Sequence, residues 1–249
     1  MIRIATAPNG IHPDSLQGVK REIFMAMNAS REIFSFFTPG ELLFELQLRE
    51  NIMNAAHQMH QSGAAFTTFQ YSQFNPAYWV RSSRGYLLRP DVLPSDAIRD
   101  VFNNGKIYGF ECSTAMVFIF YKAVLDSIRP SDFNYLFGGL LVWNWNYDPD
   151  LVIVTRRGTE FIPGDVVYFY NPDHKQVIWL GENAVFLGND QYFGHGIGVK
   201  MAKEMIEALN TLRKEGATRS AYLLNQHSRL DAKYFHRYAR NSQQFRKEG

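Results

Sequence analysis

Cysteine is nearly absent: among 249 residues there is one, Cys112. That excludes an intrachain disulfide framework and a four-thiolate zinc site. Charge of one sign is also missing, since 26 Lys and Arg against 24 Asp and Glu leave a net charge of +2, too small to imply nucleic acid as a partner. No apolar stretch is long and uninterrupted enough to span a bilayer, so no membrane association is expected. Met1 to Pro8 shows no basic stretch followed by an apolar core, and the sequence predicts no secretory signal and synthesis in the cytoplasm. Repeats, low-complexity tracts and composition breaks are missing too, so residues 1–249 read as a single domain. No Asp/Asn loop with a central glycine suggests calcium, and neither a metal nor another cofactor is expected.

What the chain does have is aromatic side chains, 15% of its residues, and one stretch built around its thiol. Asn103-Asn104-Gly105 and Gly109 break the chain before Glu111-Cys112-Ser113-Thr114, and an apolar run follows until Pro130. The pattern predicts a buried helix starting between Glu111 and Thr114, with Cys112 at or beside its N-terminus. Unpaired N–H groups and the macrodipole favour an anion there, and a thiolate is one. A free cysteine also serves as a small buried hydrophobe, and position alone leaves both roles open.

The first half reads as helical. Val19, Ile23, Phe24 and Met27 recur at helical spacing, and Thr38-Pro39-Gly40-Glu41 opens a long helix that Gly63 ends. His57 and His60 lie three apart on that helix without a further ligand at matching spacing, which suits surface histidines. Ala64 to Leu93 reads as long loops held by rings, and Pro94-Ser95-Asp96 caps a short helix to Phe102. The second half reads as an antiparallel meander, with strands at Leu140–Tyr147, Leu151–Thr155, Val166–Tyr170 and Gln176–Leu180 between Pro, Gly, Asn and Asp turns. A helix is expected near Lys200–Leu212. From Arg213 to Gly249 nine basic residues face three acidic ones; this segment is expected to dock on the sheet edge or to attract an acidic protein surface. Helices followed by an antiparallel sheet make the chain α+β.

Gly188-Asn189 suits a two-residue hairpin turn. If it is the turn, Leu187 faces Asp190 and Glu182 faces His195, with β-carbons about 4.5–5.5 Å apart; a slip to Asn189-Asp190 moves the partner of Glu182 to Ile197. A carboxylate against an imidazole fixes its tautomer and raises its pKa, as a thiol's base requires, though a structural pair at a sheet edge would look the same. Gly194 and Gly196 around His195 clear space beside its ring.

With these residues in view, the chain resembles the small bacterial protein-glutamine γ-glutamyltransferases of Bacillus spore coats. The stretches that carry the resemblance are Gly109-Phe110-Glu111-Cys112-Ser113-Thr114-Ala115, Trp143-Asn144-Trp145-Asn146-Tyr147, Pro163-Gly164-Asp165-Val166, Gly181-Glu182-Asn183-Ala184 and Phe193-Gly194-His195-Gly196-Ile197-Gly198. The resemblance implies a papain-like fold in which the nucleophile helix packs on the sheet that bears the histidine. It implies Cys112 as nucleophile, His195 as base, Glu182 orienting or assisting, and Glu111 tuning or partly replacing it. The third member is then a glutamate before the histidine, unlike papain. The implied reaction joins protein Gln to protein Lys through a thioester with release of ammonia, without calcium. The implied partners are spore-coat proteins bearing those side chains. Trp145 and Trp179, with Phe66 on the Gln side, are the expected walls of the approach, and Trp143 is close in rank. A papain-like cysteine hydrolase acting on cell-wall peptides is the alternative.

Overall fold

The computed structural model describes residues 1–7 and 10–239. A helix that is apolar on all sides has to lie inside the protein, and the thiol-bearing segment does so. The chain enters through β1 (Ile2–Ile4), α1 (Gly18–Ala29), β2 (Phe34–Phe36) and α2 (Pro39–Ser62). It continues through β3 (Ala65–Phe66), β4 (Trp79–Ser82), β5 (Gly85–Leu88), α3 (Pro94–Asn103) and β6 (Gly109–Phe110) to α4 (Cys112–Ser127). Every residue of α4 except Lys122 and Asp126 is buried. Its neighbours are α2, α3 and α5 (Pro130–Leu136).

The remaining elements are β7 (Leu141–Val142), β8 (Ile153–Arg157), β9 (Val166–Tyr170), β10 (Gly181–Gly188), β11 (Gln191–Gly194), β12 (Gly198–Met201), α6 (Ala202–Asn210), β13 (Tyr222–Leu230) and α7 (Ala232–His236). Six of these strands form one antiparallel sheet in the order β12-β11-β10-β9-β13-β8. The α4 helix packs on β10, so the protein is α+β with the thiol helix against an antiparallel sheet.

Local chemistry sets the long elements. Thr38 Oγ1 accepts the Glu41 N–H at 3.2 Å while Glu41 Oε2 accepts the Phe37 N–H at 2.7 Å, and Gly63, at φ 81°, stops α2. Across the protein, Asp165 ties this helix to the sheet. It accepts from Arg49 of α2 at 2.8 Å and from Arg229 of β13 at 2.7 and 2.8 Å.

Four expectations are corrected. Leu140–Tyr147 is a strand only at Leu141–Val142; Asn144 and Trp145 then adopt positive φ (48° and 63°) in a turn. Alternation was satisfied, but hydrogen bonds from Asn144 N–H to Glu111 and from Asp148 N–H to the Tyr121 hydroxyl hold the backbone elsewhere. Gln176–Leu180 is a 3-10 turn at Val177–Trp179. Within Ala64–Leu93, Trp79–Ser82 and Gly85–Leu88 form a hairpin extended by β7. The C-terminal segment supplies β13, which lies inside the sheet between β9 and β8 rather than at its edge; residues 240–249 of that basic tail fall outside the described residues.

Candidate active site

Cys112 is the first residue of α4, and Glu111 is its N-cap. Glu111 Oε1 accepts from Thr114 N–H, Ser113 Oγ, Thr114 Oγ1 and Asn144 N–H, at 2.6 to 3.1 Å. One carboxylate therefore both closes the helix start and fixes the turn that carries Trp145. Cys112, Glu111 and Trp145 line one cleft of about 760 Å³ together with Asn144, Tyr147, Tyr168, Val177, Leu180 and Asn183. That volume suits a side chain or small ligand.

The thiol is 7% exposed. Burial pushes its pKa well above the ordinary range, and the nearby charge of Glu182 adds to this; the Asn183 main-chain and side-chain N–H groups pull the other way, and Glu111 raises it further. Burial thus favours the thiol over the thiolate. Its hydrogen-bond partner is Asn183, whose Nδ2 donates to Sγ at 3.4 Å.

The hairpin register differs from both versions read from the sequence. Asn189 and Asp190 form the turn, both with positive φ (49° and 58°), as a type I′ turn requires. Gly188 pairs with Gln191, but an irregularity at Leu187 resets the ladder, so that Phe186 pairs with Tyr192 and Ala184 with Gly194. Continued, this register sets Glu182 opposite Gly196, whose N–H donates to Glu182 Oε1 at 3.0 Å. His195 falls opposite Asn183 instead.

Glu182 has no solvent exposure, and its Oε2 has no hydrogen-bond partner among the described residues. Burial pushes its pKa up to about 8, against hydrogen bonds from the Gly196 and His195 main chain. Gly194 and Gly196 prove to make room for this carboxyl rather than for the imidazole. A β-carbon at Gly194 would lie 2.7 Å from Glu182 Cγ, and one at Gly196 would lie 3.0 Å from Glu182 Oε2 and 3.1 Å from the Phe66 ring.

His195 stacks on Phe110 (4.9 Å between ring centres), meets Phe66 edge-on at 6.0 Å, and Nε2 lies 3.3 Å from the Ala65 carbonyl. Burial pushes its pKa down to about 4, against the Ala65 and Phe110 carbonyls. Phe66 reaches this place because β3 pairs in parallel with β6, the strand just before Cys112. Trp179 stacks on Phe66 at 4.8 Å. Trp143 instead packs on Phe69 and Tyr86.

The candidate residues thus form two clusters: Cys112, Glu111 and Trp145 around the cleft, and Glu182, His195, Phe66 and Trp179 beside it. Among the described residues no hydrogen bond joins Cys112 to His195 or to Glu182. The link is Asn183, adjacent to Glu182 in the chain and bonded to the sulfur. Asn183 and Tyr168 are the site neighbours that the sequence reading missed. The alternation of β9 and β10 could have shown that they point away from Phe169 and Glu182, but not that this face meets α4. Among the described residues no group of three or more His, Cys, Asp or Glu is placed to hold a metal ion, and no helix is long and apolar enough to cross a membrane.

An α+β fold that opens its one thiol, at a helix N-terminus, into a cleft beside a buried carboxyl and an imidazole has the parts of a cysteine acyl-transfer enzyme. Comparison with known proteins narrows this. The protein-glutamine γ-glutamyltransferase family matches residues 1–239, and the chain belongs to that family. It is 48% identical over 217 residues to the protein-glutamine γ-glutamyltransferase of Bacillus cereus (strain AH187), covering 86% of this chain and 79% of that one. It is 47% identical over 222 residues to the Bacillus pumilus (strain SAFR-032) enzyme of the same name, covering 88% and 90%. The structure of a transglutaminase from Geobacillus stearothermophilus, without its C-terminal extension, superposes with a TM-score of 0.78 at 48% identity, covering 81% of this chain and 98% of that one.

Proposed function

We propose that the chain, acting as one catalytic domain, joins protein Gln to protein Lys through an acyl-enzyme on Cys112. The Cys112 sulfur attacks the γ-carboxamide carbon of a Gln side chain as its proton passes to the Glu182–His195 cluster. The tetrahedral intermediate loses ammonia, protonated from the same cluster, and leaves a thioester. A Lys amine then gives up a proton and displaces the sulfur, forming the γ-glutamyl-lysine bond. A carboxyl with its pKa near 8 suits both directions of proton transfer at neutral pH, because it is mostly protonated yet readily ionised.

What carries this reading is the position of Cys112: its sulfur borders the cleft while its own pKa is held high, so it ionises only as a proton is handed on. Trp145 forms one wall of the cleft, and the Phe66–Trp179 stack lies beside it at His195. Rings gathered about the thiol keep water from the thioester, which water would otherwise hydrolyse. Glu111 holds the Trp145 turn and adds to the field that keeps the thiol protonated. Spore-coat proteins are the proposed substrates and the spore coat the proposed location, a reading that rests on the resemblance and on the Bacillus relatives.

The test offers casein and a fluorescent primary amine, then a mixed protein substrate searched by mass spectrometry for γ-glutamyl-lysine. Label in protein is expected with the native chain and none with Cys112→Ala. Full transfer by Cys112→Ala would end the proposal. Deamidation or cleavage without label would favour a cysteine hydrolase.

A further inference from the structure

We propose that Asn183 is a catalytic residue whose two N–H groups hold first the ionising sulfur and then the oxyanion of the tetrahedral intermediate. The inference rests on the Cys112 acyl-enzyme reading above. The side-chain Nδ2 donates to Cys112 Sγ at 3.4 Å, and the Asn183 main-chain N–H also favours the ionised form of the sulfur. Both groups belong to one residue of β10, a strand inside the sheet, where Asn183 pairs with Tyr168 of β9, so the main chain that carries them is set by the ladder rather than by a loop. Asn183 is 9% exposed and borders the same cleft as the sulfur.

The need for such donors is plain from the charges nearby. Glu111, and Glu182 whenever it is ionised, disfavour an anion at Cys112, and among the described residues Arg and Lys form no ion pair or hydrogen bond with the site. Neutral N–H groups are what remains to stabilise negative charge there. When the sulfur–carbon bond forms, the carbonyl π pair moves onto oxygen, and that oxygen lies one carbon atom from the sulfur. A donor already touching the sulfur needs only a small shift to reach it. Collapse returns the pair to the C–O bond, breaks the C–N bond, and the departing nitrogen takes a proton to leave as ammonia. Preorganised donors of this kind cost no reorganisation during the reaction.

The register explains why this residue holds the post. Because the irregularity at Leu187 resets the ladder, Ala184 pairs with Gly194, and this register, continued past the end of β11, brings Asn183 rather than Glu182 level with His195.

The experiment compares the native enzyme with Asn183→Ala, Asn183→Ser and the isosteric Asn183→Asp. It measures kcat and KM for amine transfer, the pH midpoint of Cys112 alkylation by iodoacetamide, and thermal unfolding. Asn183→Ala and Asn183→Asp are expected to lose about 10²–10³-fold in kcat with little change in KM for the Gln substrate. Asn183→Ser, which keeps a donor, is expected to recover part of the loss. The alkylation midpoint rises in Asn183→Ala and rises further in Asn183→Asp, which sets a carboxylate on the sulfur; a merely structural asparagine would not move it. Near-native kcat in Asn183→Asp, or an alkylation midpoint unchanged in both variants, overturns the proposal. Transfer that survives Cys112→Ala would instead sink the acyl-enzyme reading, so the two failures are distinguishable.

Discussion

Two carboxyl groups, Asp165 and Glu182, are equally hidden from solvent, with no exposed surface on either. Burial pushes both pKa values up, yet they end on opposite sides of the usual carboxylate range. Burial acts first on Asp165 too, but the Arg49 and Arg229 guanidiniums outweigh it and hold its carboxyl low. Its two oxygens accept from both arginines and from the Ile162 N–H. Among the described residues Glu182 has no cation, main-chain N–H groups on one side, and an Oε2 left without a partner. Desolvation alone therefore does not decide what a buried acid becomes; its partners do. The first acid is a permanent anion that joins α2, β9 and β13. The second keeps its proton at neutral pH and can part with it.

Exchanging each acid for a neutral group should separate these roles. Asp165→Ala leaves Arg49 and Arg229 with a buried, uncompensated charge and is expected to cost about 3–5 kcal/mol in urea unfolding. Activity per folded molecule should be retained. Glu182→Gln removes a group without an ionic partner, so below about pH 4.5, where folded and unfolded chains both hold the proton, stability should change by less than about 1 kcal/mol. Its kcat should fall by about 10²–10⁴-fold, the range of a lost acid–base group. A Glu182→Gln enzyme with native turnover would remove Glu182 from the proton path.

Stability against pH sharpens the contrast, because the two signs differ. Asp165 has its folded pKa below 3.8, so its contribution is complete above that value and is lost as pH falls through the folded pKa. Glu182 has its folded pKa raised from 4.5 to about 8, so the folded state binds the extra proton and stability declines as pH rises through that interval. The slope is at most about 1.4 kcal/mol per pH unit. His195, lowered from 6.5 to about 4, acts oppositely between those values, because there the unfolded state binds the proton. The Glu182 signature is therefore cleanest between pH 6.5 and about 8. Urea midpoints across that window should fall in the native chain and flatten in Glu182→Gln. A native chain with no slope there would show that Glu182 is already ionised.

The same contrast explains what could be read from the sequence. Helix α4 and its start at Cys112 followed from a long apolar run and a turn signal, and α2 followed from Thr38, Pro39 and Gly63, because caps and periodicity are local. Strand β13 was missed because its basic, aromatic text resembles a surface segment; Arg229 is buried there only because Asp165 and Glu32 arrive from elsewhere. The sequence singled out Cys112, His195 and Glu182 as candidates, but their mutual placement was not legible in it. One irregularity at Leu187 changed which residue faces His195, and no local rule announces it. The Trp143–Asn146 turn failed for the same reason, since its alternation is that of a strand and Glu111 overrides it from 33 residues away.

Glu111 provides the finest test of the comparison, because it shares features with both acids. Its Oε1 accepts four hydrogen bonds, as a structural carboxylate would, while its buried Oε2 has none, like that of Glu182. If its task is to cap α4 and hold the Trp145 turn, an amide oxygen can accept the same bonds. Glu111→Gln should then unfold within about 0.5 kcal/mol of native, whereas Glu111→Ala loses about 1–2 kcal/mol with the cap. Turnover in Glu111→Gln should stay within about threefold of native, and the weaker negative field should ease alkylation of Cys112. If Glu111 instead carried the proton, the Gln variant would lose as much turnover as the Ala variant, with its stability intact. Measuring kcat and unfolding on the same two proteins decides between an acid that builds the site and one that reacts in it.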